Sequence, residues 1–244
     1  MTVEFGYRYL KQFPYVRKDQ VFWIPNGYHT ERIDQVLEEG KTGLPEELEQ
    51  YLSEHWCAVY TGSFVDSERP MDMLDAAAYL KKHGADGIYF AFIGNGHLKE
   101  TMEEKIRRQD LDHVRIFDRI EPDQVAVVLS KAGACIAALK DDRVLNDLGL
   151  SMNKLNDYLY SGVPTVFACN SVNVVEESGG GIVTPCNDPE AFAEALIQVY
   201  KMPEEERNVM GERGRREIRE KYGYPLLAGK YIDVLNTCAA RKGS

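Results

Sequence analysis

An α/β fold built on a doubly wound parallel sheet is predicted by three observations in this 244-residue sequence. Apolar, β-rich runs alternate with helix-length amphipathic segments. Several of the runs are apolar without interruption, as strands buried on both faces are. Glycines close many of the helical segments, where a left-handed cap is favoured.

Residues 1–20 read as an incomplete helix and a connector, and the first strand is expected at Val21–Ile24 (VFWI). Further strands are expected at Ala58–Thr61, Ile88–Ile93, Val114–Phe117, Cys135–Leu139, Thr165–Ala168 and Gly181–Thr184. Between them stand PMDMLDAAAYLKKHG, LKETMEEKIRRQ, PDQVAVVLSKAG and MNKLNDYLYSG, each with helical periodicity or a closing glycine. Alternation at this spacing specifies right-handed βαβ units and a Rossmann-like sheet. After Thr184 the pattern is helical only: DPEAFAEALIQVYKM, PEEERNVMGERGRREIREKY and PLLAGKYIDVLNT. Pro189 and Pro203 fall where a first helical turn tolerates proline, and Asp188 is placed to cap. The chain therefore divides into 1–20, a Rossmann-like domain over 21–222, and a carboxyl-terminal helix over 223–244.

The formal net charge of -10 argues against a protein that coats nucleic acid, because phosphate backbones demand clustered Lys and Arg. A small phosphorylated ligand needs only a few donors and stays open. The five cysteines are scattered and never form a CxxC pair, so neither a zinc site nor a disulfide framework is expected. Cys135 and Cys169 lie in apolar runs and are read as core. No stretch approaches the roughly 20 apolar residues that span a bilayer, and no signal-peptide pattern opens the chain. The expected location is cytoplasmic.

Ligands of an open parallel sheet sit outside the carboxyl ends of its strands. Three loops there carry suggestive chemistry. In TGSFVDSERPMD, Gly62 and Ser63 leave backbone N–H groups accessible, and Arg69 is the loop's cation. It reads either as a phosphate clamp or as a solvated arginine beside Glu68. In IGNGHLKE, Gly94 and Gly96 open a dinucleotide-like fingerprint, but Lys99 holds the third glycine's place, which favours a plain tight turn. In LGLSMNKLNDYLYSGVP, Ser151 can cap a helix that carries Met152, Asn153 and Lys154 at its start and Asp157 one turn on. Helix-end N–H groups favour a diphosphate, and Asp157 lies about 5.4 Å further along, within reach of a ribose. An ordinary amphipathic helix with Asp157 in solvent is the competing reading. The histidines at 29, 55, 83, 97 and 113 are dispersed and are read as non-catalytic, with His97 the one placed at a strand's carboxyl end.

In order, WIPNG (Trp23–Gly27), YTGS (Tyr60–Ser63), FIGNG (Phe92–Gly96), VRIFDRI (Val114–Ile120) and SMNKLNDYLYSGVPTVFA (Ser151–Ala168) resemble the carboxyl-terminal domain of group 1 (family 4) glycosyltransferases. The likeness runs from about Val21 to near Leu235. It is nearest the subgroup of capsule, O-antigen and exopolysaccharide assembly, where P-x-K-L-x-[DE]-Y-x-x-x-G-x-P is usual. The resemblance implies the carboxyl-terminal half of a GT-B fold with trailing helices, and metal-independent transfer from a UDP-sugar or GDP-sugar to a glycan or lipid-linked acceptor. No cofactor and no metal ligand are implied.

Of the family's two acids separated by seven residues, the second matches Asp157, which would hold the donor ribose. The first falls on Gly149, so the acid facing the transferred sugar is missing. The family's phosphate-binding Arg and Lys fall on Ser63 and Glu68, with Arg69 one place along. The base pocket would lie at Arg119 and Ile120. The implied nucleotide-sugar set is thus Gly62, Ser63, Arg69, Arg119, Ile120, Ser151, Met152, Asn153, Lys154 and Asp157, with no catalytic residue in this half.

The same resemblance makes residues 1–20 the remnant of a missing amino-terminal domain that would bring the acceptor, as a lost segment or a partner subunit. An apolar strip of Tyr7, Leu10, Tyr224 and Leu227 is then expected to lie exposed, the carboxyl-terminal helix packing toward that domain. Membrane association would be indirect, peripheral at the inner face of the plasma membrane. Two other readings share the architecture: a GT-B-shaped nucleotide-sugar epimerase, which the glycine at 149 disfavours, and a non-catalytic nucleotide-binding subunit of a split transferase.

Overall fold

The computed structural model describes residues 1–40 and 43–242. Six strands form one sheet: β1 (Trp56–Ser63), β2 (Ile88–Asn95), β3 (Val114–Phe117), β4 (Ala134–Ala138), β5 (Thr165–Ala168) and β6 (Gly181–Thr184). All pair in parallel, in the order β3-β2-β1-β4-β5-β6. The order reverses between β1 and β4, and the carboxyl ends of those strands open the crevice where such sheets bind ligands.

Before the sheet come α1 (Tyr7–Leu10), α2 (Thr30–Glu39) and α3 (Glu46–Glu54). The crossovers are α4 (Pro70–Lys82), α5 (Lys99–Arg108), α6 (Pro122–Ser130), then α7 (Arg143–Leu148) with α8 (Asn153–Tyr160), and α9 (Val174–Ser178). Three helices trail: α10 (Pro189–Lys201), α11 (Glu204–Lys221) and α12 (Tyr224–Lys242). Helices cover both faces, and each face has its own apolar core. Phe90, Phe92, Met73 and Leu196 lie in one; Val59, Tyr158, Leu159 and Phe167 lie in the other. Burial on both faces is why the strands read as unbroken apolar runs. Cys135 and Cys169 are buried, as their apolar neighbours imply. Asp188 caps α10, its carboxylate accepting from the Ala191 N–H at 2.9 Å.

The expected strand at Val21–Ile24 does not form. That segment stays extended, but its backbone partner is the first residue. The Met1 amine donates to the Phe22 carbonyl at 2.9 Å, and the Ile24 N–H donates to the Met1 carbonyl at 2.9 Å. It therefore meets no edge of the sheet. Helices α2 and α3 fill the interval before β1 instead. Gly40 closes α2 in the left-handed region (φ 59°), and α3 buries Leu48, Tyr51 and Leu52.

The expected apolar strip holds in part. Tyr224 is exposed, but Leu227 is 5% exposed and belongs to the interior. Tyr7 and Leu10 are half-buried. The more exposed apolar surface lies further along α12, at Tyr231, Ile232 and Leu235. Among the described residues no helix is long and apolar enough to cross a membrane.

Candidate functional site

A cleft of about 390 Å³ opens at the carboxyl ends of β1 and β2. Its floor is the end of β1, Thr61–Ser63, and the paired end of β2, Ile93–Asn95; its walls are Arg119, Ile120, Pro122 and Val125 on one side and Lys154 and Asp157 on the other. Gly94 lets the two strand ends touch: a Cβ there would lie 1.8 Å from the Gly62 carbonyl oxygen. That close approach accounts for Gly94 as a packing requirement at the end of β2.

Asp157 projects from α8, whose apolar neighbours Leu155, Tyr158 and Leu159 anchor the helix in the core. Burial pushes the Asp157 carboxyl up to about 6, against the opposing hydrogen bond from Tyr28. The Tyr28 hydroxyl donates to Asp157 Oδ1 at 2.9 Å. Burial and the facing carboxylate in turn drive the Tyr28 phenol far above its ordinary value. A carboxylate held in one direction and only partly solvated suits an acceptor for two adjacent hydroxyls.

One turn earlier, Lys154 reaches over the carboxyl end of β1. Its Nζ donates to Glu68 Oε2 at 2.6 Å and to the Tyr60 hydroxyl at 3.1 Å, and lies 4.3 Å from the Tyr60 ring centroid. Burial draws the ammonium below its ordinary value, with Glu68 opposing. Helix α8 begins without a side-chain cap: Met152 occupies the N-cap position, not Ser151. Its first N–H groups are thus free of a competing side-chain acceptor, as an anion site requires.

Of the residues the sequence singles out, the structure brings together Gly62, Ser63, Arg119, Ile120, Lys154 and Asp157 around this cleft. Arg69 stands apart. It is the left-handed N-cap residue of α4 (φ 46°), and its guanidinium makes two 2.8 Å hydrogen bonds to Asp72. Asn153 is exposed and accepts from Asn26 Nδ2 at 2.8 Å. Ser151 and Met152 line a separate cavity of about 40 Å³, shared with Thr2, Glu4 and Phe5.

Gly149 lines that same cavity, with φ 84°, a conformation glycine adopts without steric cost. Beside it the Phe5 N–H donates to the Leu148 carbonyl at 3.1 Å. His97 does not enter the cleft lining; its Nε2 lies 2.8 Å from Asp66 on the neighbouring loop.

Sequence reasoning missed Tyr28 and Tyr158. The Tyr158 hydroxyl accepts from the Thr61 N–H at 2.8 Å and donates to the Thr61 carbonyl at 3.1 Å, tying α8 to the end of β1. Tyr28 carries one signal, its place directly after the Asn-Gly turn of WIPNG. Nothing local marks its partner 129 residues on.

The sequence model of the group 1 glycosyl transferases matches residues 45–217. No curated protein matches the chain. Among solved structures, S. aureus TarM in complex with Fondaparinux, alpha-GlcNAc-glycerol and UDP superposes with a TM-score of 0.69 at 17% identity, covering 94% of this chain and 42% of that one. The alpha,alpha-trehalose 6-phosphate synthase of Burkholderia multivorans gives 0.75 at 15% identity, covering 90% and 50%. The sucrose-phosphate synthase of Thermosynechococcus elongatus gives 0.70 at 16% identity, covering 99% and 58%. At these identities the likeness is one of fold. The chain spans about half the length of the structures it matches.

Proposed function

The chain belongs to the group 1 glycosyl transferases, and from that premise we propose that its cleft binds the nucleotide diphosphate sugar of a GT-B transferase. The transfer would go to a glycan or lipid-linked acceptor in polysaccharide assembly, of the capsule or O-antigen type. One observation carries the reading: Asp157 and Lys154, a turn apart on α8, face Gly62 and Ser63 at the end of β1 across one cleft at the carboxyl ends of the strands. Asp157 would accept from both ribose hydroxyls. The Asn153 and Lys154 N–H groups at the start of α8 and the Gly62 and Ser63 backbone would meet the diphosphate. Arg119 and Ile120 would flank the base.

As the glycosidic bond breaks, negative charge grows on the leaving diphosphate. Fixed N–H dipoles would oppose that charge without reorganising, and Lys154 would add its positive charge, which lowers the barrier. No divalent cation has a role in this scheme. The acceptor and any catalytic base would come from an amino-terminal domain or a partner subunit. Residues 1–20 would then form the connector, 21–222 the donor domain, and 223–244 the helix that packs toward the acceptor half. The length ratio and the exposed apolar side chains of α12 support that division. A cytoplasmic place, peripheral at the inner face of the plasma membrane, would follow from the lipid-linked acceptor.

Calorimetric titration with UDP and GDP tests the reading. Asp157→Ala should weaken nucleoside diphosphate binding by about 10- to 100-fold, the loss expected of hydrogen bonds to a charged group. Lys154→Ala should weaken it less, since Glu68 already neutralises that ammonium. Unchanged affinity in both variants would remove this cleft from nucleotide binding.

A further inference from the structure

Lys154 already has an anion. The Glu68 carboxylate lies 2.6 Å from its Nζ, and the two side chains are 20% and 15% exposed. The ammonium sits directly over the end of β1, so close that a Cβ on Gly62 would lie 2.6 Å from Nζ. Glu68 ends a short 3-10 turn, Asp66–Glu68, on the loop after β1. That turn is tied at both neighbouring positions. Asp66 meets His97 at 2.8 Å, and the Ser67 carbonyl accepts from the Lys140 N–H at 3.0 Å. Lys154 is the hydrogen-bond donor that Glu68's side chain has in the structure, and the adjacent cation, Arg69, is committed to Asp72.

We infer that Glu68 is a resident counter-ion of the cleft, which must release Lys154 when a phosphate arrives and so limits how much negative charge the cleft accepts. The inference rests on the donor-binding reading above and specifies the charge dependence of that site. Two anions cannot share one half-buried ammonium without cost: a carboxylate left facing a phosphate loses its partner in a poorly solvated place. Like charges a few ångströms apart there repel far more than they would in water. Rotation of Glu68 away from Lys154 relieves the conflict, at a cost that a neutral isostere does not carry. The penalty grows with the ligand's charge and vanishes for an uncharged nucleoside.

The experiment is calorimetry on the full chain with uridine, UMP and UDP, repeated with the guanosine series, for wild type and Glu68→Gln. The Gln variant should bind UDP or GDP about 10-fold more tightly, the monophosphate with a smaller gain, and the nucleoside with none. Glu68→Ala, which removes charge and bulk together, should keep the same ordering. An unchanged or weakened diphosphate affinity in both variants, or an equal gain for the nucleoside, overturns the inference. If Asp157→Ala affects none of these ligands, the donor-binding reading itself fails and takes the inference with it. A normal response to Asp157→Ala with no charge-graded response at position 68 overturns only the role of Glu68.

Discussion

Eight-residue α8 buries Leu155, Asn156, Tyr158, Leu159 and Tyr160, whereas nineteen-residue α12 buries, among its described side chains, Leu227 alone. Both helices carry apolar residues at helical spacing, so their sequences make similar promises. The difference lies in what each meets. Helix α8 meets the sheet, α6 and α11, and its polar residues find partners as distant as Tyr28, Thr61 and Glu68. Helix α12 meets the end of α11 and then leaves Tyr231, Ile232 and Leu235 in solvent. A helix that positions ligand groups must be rigid, and rigidity comes from dense packing on several sides. One that leaves large apolar side chains uncovered is fitted to be covered by something else.

The sharpest way to break this comparison is at the seam between α8 and α11. A Cβ on Gly211 would lie 1.7 Å from the Gly162 carbonyl oxygen, just past the end of α8. Backbone on both sides leaves nothing flexible to yield. Gly211→Ala should therefore cost about 3 kcal/mol, the upper part of the overpacking range, read as a lower urea midpoint at unchanged slope. A loss below roughly 0.5 kcal/mol, the ordinary size of a surface change, would mean that α8 is not clamped as described.

How far the sequence alone reaches follows the same division. The inner strands β1, β2, β4 and β5 are legible because burial on both faces leaves largely apolar runs, a signal each segment carries by itself. Val21–Ile24 carries that signal too, but its backbone pairs with Met1 and joins no strand of the sheet among the described residues. Asp157 and Lys154 are legible as neighbours because helical spacing places them a turn apart. Their partners are not, since Tyr28 and Glu68 lie 129 and 86 residues away and enter by folding. Ser151 reads as a cap by type, yet the helix starts one residue later and Met152 takes the position. Arg69 reads as free, and the Asp72 carboxylate three residues on captures it at the start of α4.

A second, smaller effect separates the function of α8 from its packing. The Asp157 carboxyl titrates at about 6 in the folded chain against an ordinary value of 3.8. The folded state therefore binds the proton more tightly, and stability falls as pH rises through that window. Asp157→Asn keeps an acceptor for the Tyr28 hydroxyl and removes the penalty. Above pH 6 the variant should be more stable than wild type by about 1–2 kcal/mol, with the advantage vanishing in acid. The same variant should lose nucleoside diphosphate affinity. Equal stability of the two proteins across the range would show that Asp157 is better solvated than its surroundings indicate.

The smallest effect is expected on α12. Replacing Tyr231 with Glu and Leu235 with Lys removes two exposed apolar side chains and sets an ion pair four residues apart, in the favourable order along the helix. In the chain alone, stability should change by no more than about 0.5 kcal/mol, because neither side chain is buried against anything. The consequence should surface in association. If this helix packs on an acceptor-binding half, the double variant should bind that half more weakly in calorimetry while binding UDP or GDP as wild type does. A stability loss above 2 kcal/mol in the isolated chain would place these side chains in its own core and erase the contrast with α8. Unaltered association with the acceptor half would leave the contrast standing but move the docking surface off α12. The pairing of neutral stability with lost association is what distinguishes a surface awaiting a partner from one that is merely apolar, because only the former holds free energy in reserve for a second chain.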